Sequence, residues 1–464
     1  MRFFAFISGA VLSSTLVACS SGNNNSNSGA NGETSSGGST FVGSGGTPSG
    51  TGATSGNGGT FVGGGGSSGV SNGGTPGESG GSPGGGGTPE STGGSPGSTG
   101  GAPSTVDGGT SADGGGGVVP LPPFPTSGMP LTGPDNTWTW IDFPDSHCRD
   151  GSTAGVSVNM NSASKNVMIF LQGGGACFDA TTCALNPANA STQKTGGGSV
   201  GVFDRTNADN PVKDWNYVFV PYCTGDSHIG TNASGSISGV TGTQQFVGRL
   251  DMEAYLNRIV PTFKDATQVV LTGVSAGGFG AASNEYLVQR AFGTIPVAMI
   301  DDSGPPMSDK YIPTCLQKLW RTTWGLDDSV LKDCGSACAN PDDYELDFTK
   351  FVTESTTKAG IDTHVGLLDS NDDGVITLFY GYGQNNCTGS LATPVPAATY
   401  DQGLDDFRTY IEGITPNFST FYPPGTTHTW LASATFYTEA VGSVRIVDWF
   451  KNIVVGGPAQ QIGN

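Results

Sequence analysis

The sequence predicts an α/β fold: a mostly parallel sheet covered by helices on both faces, preceded by a long segment without a core. Three observations predict it. Short β-branched and aromatic runs recur between residues 165 and 422, at lengths that suit buried strands. Segments with apolar residues at helical spacing alternate with them. Each strand run ends in a turn carrying glycine, serine or aspartate.

The chain opens with Met1-Arg2 and an apolar run from Phe3 to Val17. That run is too short to span a bilayer and reads as a secretory signal. Its ending, Leu16-Val17-Ala18-Cys19, resembles a bacterial lipobox, which implies a lipoprotein signal over residues 1–19 whose cleavage leaves an acylated Cys19 as the N-terminus. Ser20 after the cysteine fits outer-membrane sorting, so an exported, lipid-anchored protein at a bacterial surface is expected. Residues 20–117 are almost entirely Gly, Ser, Thr, Pro and Asn, with no lysine or arginine. Such a segment cannot bury enough apolar surface to offset its ordering entropy. A disordered linker is expected there, with an r.m.s. span of roughly 50–60 Å.

Residues 118–464 are left for one folded domain. Arg2 and five acids (Glu33, Glu78, Glu90, Asp107, Asp113) precede it, so it keeps 18 of the 19 basic and 34 of the 39 acidic residues. This balance argues against nucleic acid or an acidic membrane surface as the target. With Cys19 set aside, Cys148, Cys177, Cys183, Cys223, Cys315, Cys334, Cys338 and Cys387 remain, an even number in an exported chain. Disulfides are the default. No paired C-x-x-C supports zinc, and the local pairs Cys177–Cys183 and Cys334–Cys338 are expected.

In chain order, Lys165–Leu171 is a strand candidate running into Gln172-Gly173-Gly174-Gly175-Ala176-Cys177. A glycine-rich turn after a central strand is where α/β-hydrolases place half of their oxyanion hole. A phosphate cradle would need a following lysine and serine in P-loop spacing, which is missing. Trp215–Tyr222 is the next strand, and Met252–Phe263 has helical spacing that Pro261 is expected to cut short. Val269-Val270-Leu271 then leads directly into Gly273-Val274-Ser275-Ala276-Gly277 and an alanine-rich helical pattern. Strand, G-x-S-x-G, helix is a nucleophile elbow, and it makes Ser275 the candidate nucleophile. The same pattern at Gly65–Gly69 and Gly197–Gly201 follows no strand and carries no such meaning. Pro296–Ile300, His364–Leu368 and Phe418–Tyr422 complete the strands. Leu404–Ile414 and Ser443–Val454, the latter capped by Ser443, complete the helices.

The chain has four histidines. His147 and His228 precede the nucleophile, against the Ser, Asp/Glu, His order of these hydrolases, and His364 starts a strand. His428, in the loop after the last strand, is the candidate base. Asp369, closing the preceding strand, is the candidate acid, with Asp302 as the alternative. Asp369–Ile376 also matches the first half of an EF-hand calcium loop, but Tyr380 stands where the bidentate glutamate belongs. No metal and no cofactor are expected.

Cys148-Arg-Asp-Gly-Ser152, Gly-Gly-Gly-Ala-Cys177 with Cys183, Tyr222-Cys223, Gly-Val-Ser275-Ala-Gly-Gly278, Asp302-Ser-Gly and Leu-Asp369-Ser occur in that order. Together they resemble the pectin acetylesterase family, which includes the animal Notum carboxylesterases. The resemblance covers most of residues 142–428. It implies an α/β-hydrolase-like serine esterase with Ser275, Asp369 and His428 as the triad, and the N–H groups of Gly175, Ala176 and Ala276 as oxyanion donors. The chain departs from the family in carrying Ala176 where Trp is usual, and Asp372 where Gln is usual three residues after the acid.

The implied function is an exported esterase removing O-acyl groups, acetyl above all, from polysaccharide, and acting as a monomer. Two other readings stand beside it. One is an esterase for a different acyl or polyester substrate. The other is a catalytically inactive polysaccharide-binding module using Trp138, Trp140, Trp320, Trp324 and Trp430.

Overall fold

The computed structural model describes residues 124, 126–334, 339–340, 345–346, 363–388 and 392–463. The signal segment, Cys19 and the linker lie outside the described residues, as does Cys338 and with it the expected Cys334–Cys338 pair.

Nine strands form one sheet: β1 (Trp138–His147), β2 (Thr153–Asn159), β3 (Val167–Leu171), β4 (Asn216–Val220), β5 (Val269–Val274), β6 (Val297–Asp302), β7 (Val365–Leu368), β8 (Phe418–Phe421) and β9 (Gln461–Ile462). Their order across the sheet is β1-β2-β4-β3-β5-β6-β7-β8-β9. The first two pairings are antiparallel and all the others parallel. This is the mostly parallel sheet expected.

Alternate strand residues face opposite cores, as the two-residue period of a strand requires. Val167, Ile169, Leu171, Val269 and Leu271 pack with helix α1 (Gly248–Thr262), helix α2 (Ala276–Phe292) and helix α3 (Thr314–Trp324). Met168, Phe170, Val270 and Ile300 pack instead with Trp430 and with helix α6 (Ile446–Val454). A parallel sheet covered on both faces has no solvated side, which is why its strands read as unbroken apolar runs.

Five elements differ from the sequence expectation. β1 and β2 were not foreseen: β1 contains Pro144 and four carboxylate or hydroxyl residues, a pattern tolerated because it is an edge strand with a register irregularity between Asp142 and His147. Pro261 does not end α1, which runs to Thr262. The missing proline N–H would have bonded the Asn257 carbonyl, and Gly128 N–H fills that acceptor at 3.0 Å. The helix predicted from Leu404 begins earlier, as α5 (Ala397–Glu412). Ser443 does not cap α6: Arg445 holds that position, because Val444–Arg445 pair with Ala440–Val441 in a small hairpin.

Candidate active site

The parallel register brings five strand ends together. Leu171 pairs with Gly273, Val274 with Asp302, and Leu368 with both Asp302 and Phe421. Residues 172–177, 275, 302–304, 369–376 and 422–431 therefore emerge at one edge of the sheet, the edge at which open α/β sheets bind ligands. His364 begins β7 at the opposite edge, which removes it from the site.

Ser275 sits between β5 and α2 with φ 57° and ψ −124°. A non-glycine residue there is strained and is held by its surroundings. Its N–H donates to the Asp302 carbonyl at 2.7 Å. The tight approach of strand and helix depends on glycine: a Cβ on Gly277 would overlap the Leu171 carbonyl oxygen, and one on Gly173 would overlap that of Val274. Ala276 opens α2, and the first N–H groups of a helix have no partner within it.

The Gly173–Cys177 turn lies beside this elbow. Gly174 (φ 155°) and Gly175 (φ 74°) adopt backbone conformations that side chains resist, and nothing stands within 4 Å of where a Gly175 Cβ would be. The turn is fixed from behind. Cys177 is bridged to Cys183, its N–H donates to the Gly225 carbonyl at 2.7 Å, and its carbonyl accepts the Trp324 indole N–H at 2.9 Å. The other two bridges among the described residues are Cys148–Cys223 and Cys315–Cys387.

Sequence reasoning discarded His228, yet the structure places it under this turn. Its Nε2 lies 2.9 Å from the Gln172 carbonyl, and its ring packs on that of Tyr222, centroids 4.8 Å apart. Burial pushes its pKa down to about 4, so the ring is neutral and Nε2 carries the hydrogen. Tyr222 in turn accepts the Ser227 N–H at 2.8 Å and lines the Gly174 backbone. The sequence signal was Asp226-Ser227-His228 after a strand; its order relative to Ser275 spoke only against a base.

On the other side, His428 Nδ1 lies 2.7 Å from Asp373 Oδ2. The aspartate beside His428 is thus Asp373 and not Asp369, the residue expected there. Asp369 ends β7 fully buried, and its Oδ2 accepts the Tyr400 hydroxyl at 2.5 Å, away from the histidine. The chain then turns, and Asp373 Oδ1 accepts the Val375 and Ile376 N–H groups, each at 2.8 Å, at the start of helix α4 (Ile376–Tyr380). A capping carboxylate has its second oxygen free, and here it points to His428. The signal was available as an aspartate just before a helical run. Of the residues in the calcium reading, Asp369 accepts from Tyr400, while Asp373 accepts the N–H groups at the start of α4 and lies against His428.

Asp302 joins the two sides. Its carbonyl holds Ser275, while its Oδ2 accepts the Trp430 N–H at 2.8 Å and the Leu431 N–H at 2.7 Å, just past His428. Burial raises its pKa to about 6, opposed by those two donors and by His428. The alternative acid is therefore a tie between elbow and histidine loop. The tryptophans named for a binding surface are unavailable for it in three cases, since Trp320, Trp324 and Trp430 are buried.

Residues 139–353 match the family model described as Pectinacetylesterase. Curated relatives of this chain include the palmitoleoyl-protein carboxylesterase notum2 of Xenopus laevis, 32% identical over 146 residues, which are 30% of this chain and 29% of that one. Another is the palmitoleoyl-protein carboxylesterase NOTUM of Drosophila melanogaster, 30% identical over 172 residues, 34% of this chain and 26% of the relative. The matched segments thus span less than a third of these relatives. The crystal structure of the Wnt deacylase Notum from Drosophila superposes with a TM-score of 0.53 at 18% identity, covering 69% of this chain and 93% of that one. That likeness establishes the fold.

Proposed function

We propose that this chain is a serine carboxylesterase in which Ser275 is the nucleophile, His428 the general base and Asp373 the acid that orients it. The observation that carries the reading is the 2.7 Å contact between His428 Nδ1 and Asp373, in a loop tied through Asp302 to the elbow. With Nδ1–H donating to Asp373, Nε2 is the basic nitrogen. It takes the Ser275 proton as Oγ attacks the ester carbonyl. The resulting oxyanion is held by the N–H groups of Gly175, Ala176 and Ala276, each such donor being worth about 2.7–4 kcal/mol. The tetrahedral intermediate then expels the alcohol, which His428 protonates. A water deprotonated by the same nitrogen releases the acid and restores the serine.

The substrate we propose is an O-acyl, chiefly acetyl, polysaccharide. The match of residues 139–353 to the Pectinacetylesterase model supports it, and so does the small Gly175-Ala176 pair at the turn. Export with anchoring through Cys19, and a monomeric state, belong to the same proposal; three disulfides support export. Acetate release from acetylated pectin and xylan, and hydrolysis of aryl esters of increasing chain length, test it against Ser275→Ala. Acetate release lost in the variant is the expected result. Polysaccharide binding without turnover in the unaltered protein would show a binding module instead, and preference for long acyl chains would overturn the acetyl assignment.

A further inference from the structure

The acid that the mechanism leaves unused sits directly behind the one it uses. Asp369 and Asp373 are both fully buried and within hydrogen-bonding reach of one another. Every donor at Asp373 treats it as an acceptor: His428 Nδ1 on Oδ2, and the Val375 and Ile376 N–H groups on Oδ1. Asp369 differs. Its Oδ2 accepts from Tyr400, while its Oδ1, equally buried, receives no hydrogen bond. A bare carboxylate oxygen in that position would be costly, whereas a carboxylic O–H beside an acceptor is satisfied.

The surroundings offer no compensating cation. Asp301 faces Asp369 from the end of β6, Tyr380 from α4, Tyr400 from α5 and Tyr422 from beyond β8. Asp302 is coupled to His428 from the same edge. Among the described residues, His428 is the only basic side chain within ion-pair distance of either Asp369 or Asp373. Two carboxylates in contact without a cation cannot both ionise.

We propose that Asp369 is a protonated positioning residue, donating its carboxyl hydrogen to Asp373 so that the pair presents a single negative charge to His428. Burial first, and then the Asp373 charge, hold the Asp369 carboxyl well above the ordinary carboxylate range. The arrangement forms a chain, Tyr400 to Asp369 to Asp373 to His428, in which the protonated acid fixes the orientation of the ionised one. This inference rests on the esterase reading for its kinetic consequences alone; the charge state stands apart from turnover.

Its test is the ring titration of His428, followed by NMR in histidine-labelled protein and assigned by its absence in His428→Gln. In Asp369→Asn, the amide replaces a neutral donor by a neutral donor, so the His428 midpoint is expected to stay within about 0.3 pH unit of the unaltered protein. Were Asp369 ionised, removing that charge would lower the midpoint by about one pH unit or more, and that result would overturn the proposal. Kinetically, Asp369→Asn is expected to lose about tenfold in kcat/KM and Asp369→Ala more, both far less than Asp373→Asn. Equal losses in the two Asn variants would contradict it. Infrared difference spectra of Tyr400→Phe against unaltered protein serve if Asp369→Asn does not fold. A shifted carboxylic-acid carbonyl band is expected, and a change confined to carboxylate bands would count against the assignment. An inert unaltered protein would defeat the esterase reading and leave the titration to decide this one.

Discussion

The nucleophile side and the histidine side of the site are held by different physics. Around Ser275, backbone packs on backbone: Gly173 and Gly277 leave no room for a Cβ, and the braces on the turn are a disulfide, backbone hydrogen bonds, an indole and a neutral imidazole. Around His428, buried carboxylates do the holding: Asp302 grips the loop, Asp373 the ring, and Asp369 and Tyr400 support Asp373. A site held by volume should be sensitive to added atoms and indifferent to charge. A site held by carboxylates should tolerate isosteric change in shape and fail when charge changes.

The largest expected effect is on the charged side. Asp373→Asn keeps the shape and removes the charge, and should lower kcat by about 10⁴-fold through the wrong imidazole tautomer. Steady-state kinetics with circular dichroism to verify folding checks it. A loss under tenfold would mean that Asp373 does not orient His428. On the packed side, Gly277→Ala should destabilise by roughly 3 kcal/mol, because overpacking against the Leu171 backbone cannot relax cheaply. Gly175→Ala meets no neighbour within 4 Å and bears only its positive φ, so about 1 kcal/mol is expected. Urea unfolding of the two variants would blur the comparison if their order were reversed.

A pH-dependent effect concerns a carboxyl group buried in the elbow helix. Glu285 is fully buried, neither carboxyl oxygen has a partner, and burial raises its pKa from 4.5 to about 8. The folded protein thus keeps a proton that the unfolded chain releases. Stability is full below about pH 4.5 and falls as pH rises toward about 8, with a slope near 1.4 kcal/mol per pH unit. Glu285→Gln should remove that slope from the difference between the two unfolding curves, and parallel curves across this window would show Glu285 ionised in the fold.

The same contrast explains what was legible in the sequence. The elbow is a local object: strand, Gly-x-Ser-x-Gly and helix are contiguous, so 268–292 could be read directly, as could the glycine-rich turn after β3. The charged side is assembled across the chain. Asp373 and His428 are 55 positions apart, and Tyr400 reaches Asp369 across 31. The end of a strand pointed to Asp369. What decides between Asp369 and Asp373 is which way each side chain leaves a tight turn, and that is set by the caps of α4. His228 was invisible for a related reason, since a buried histidine bracing a carbonyl carries no spacing signature. β1 escaped because an edge strand carries no apolar alternation to read.

The most direct test of the two-sided site is covalent labelling by a fluorophosphonate, with the modified peptide mapped by mass spectrometry. The expected adduct is on Ser275, formed rapidly in the unaltered protein and at least about 10³-fold more slowly in His428→Ala and in Asp373→Asn. Labelling at any other residue, or a rate unchanged by those two substitutions, would contradict the assignment of Ser275, His428 and Asp373 to one catalytic unit.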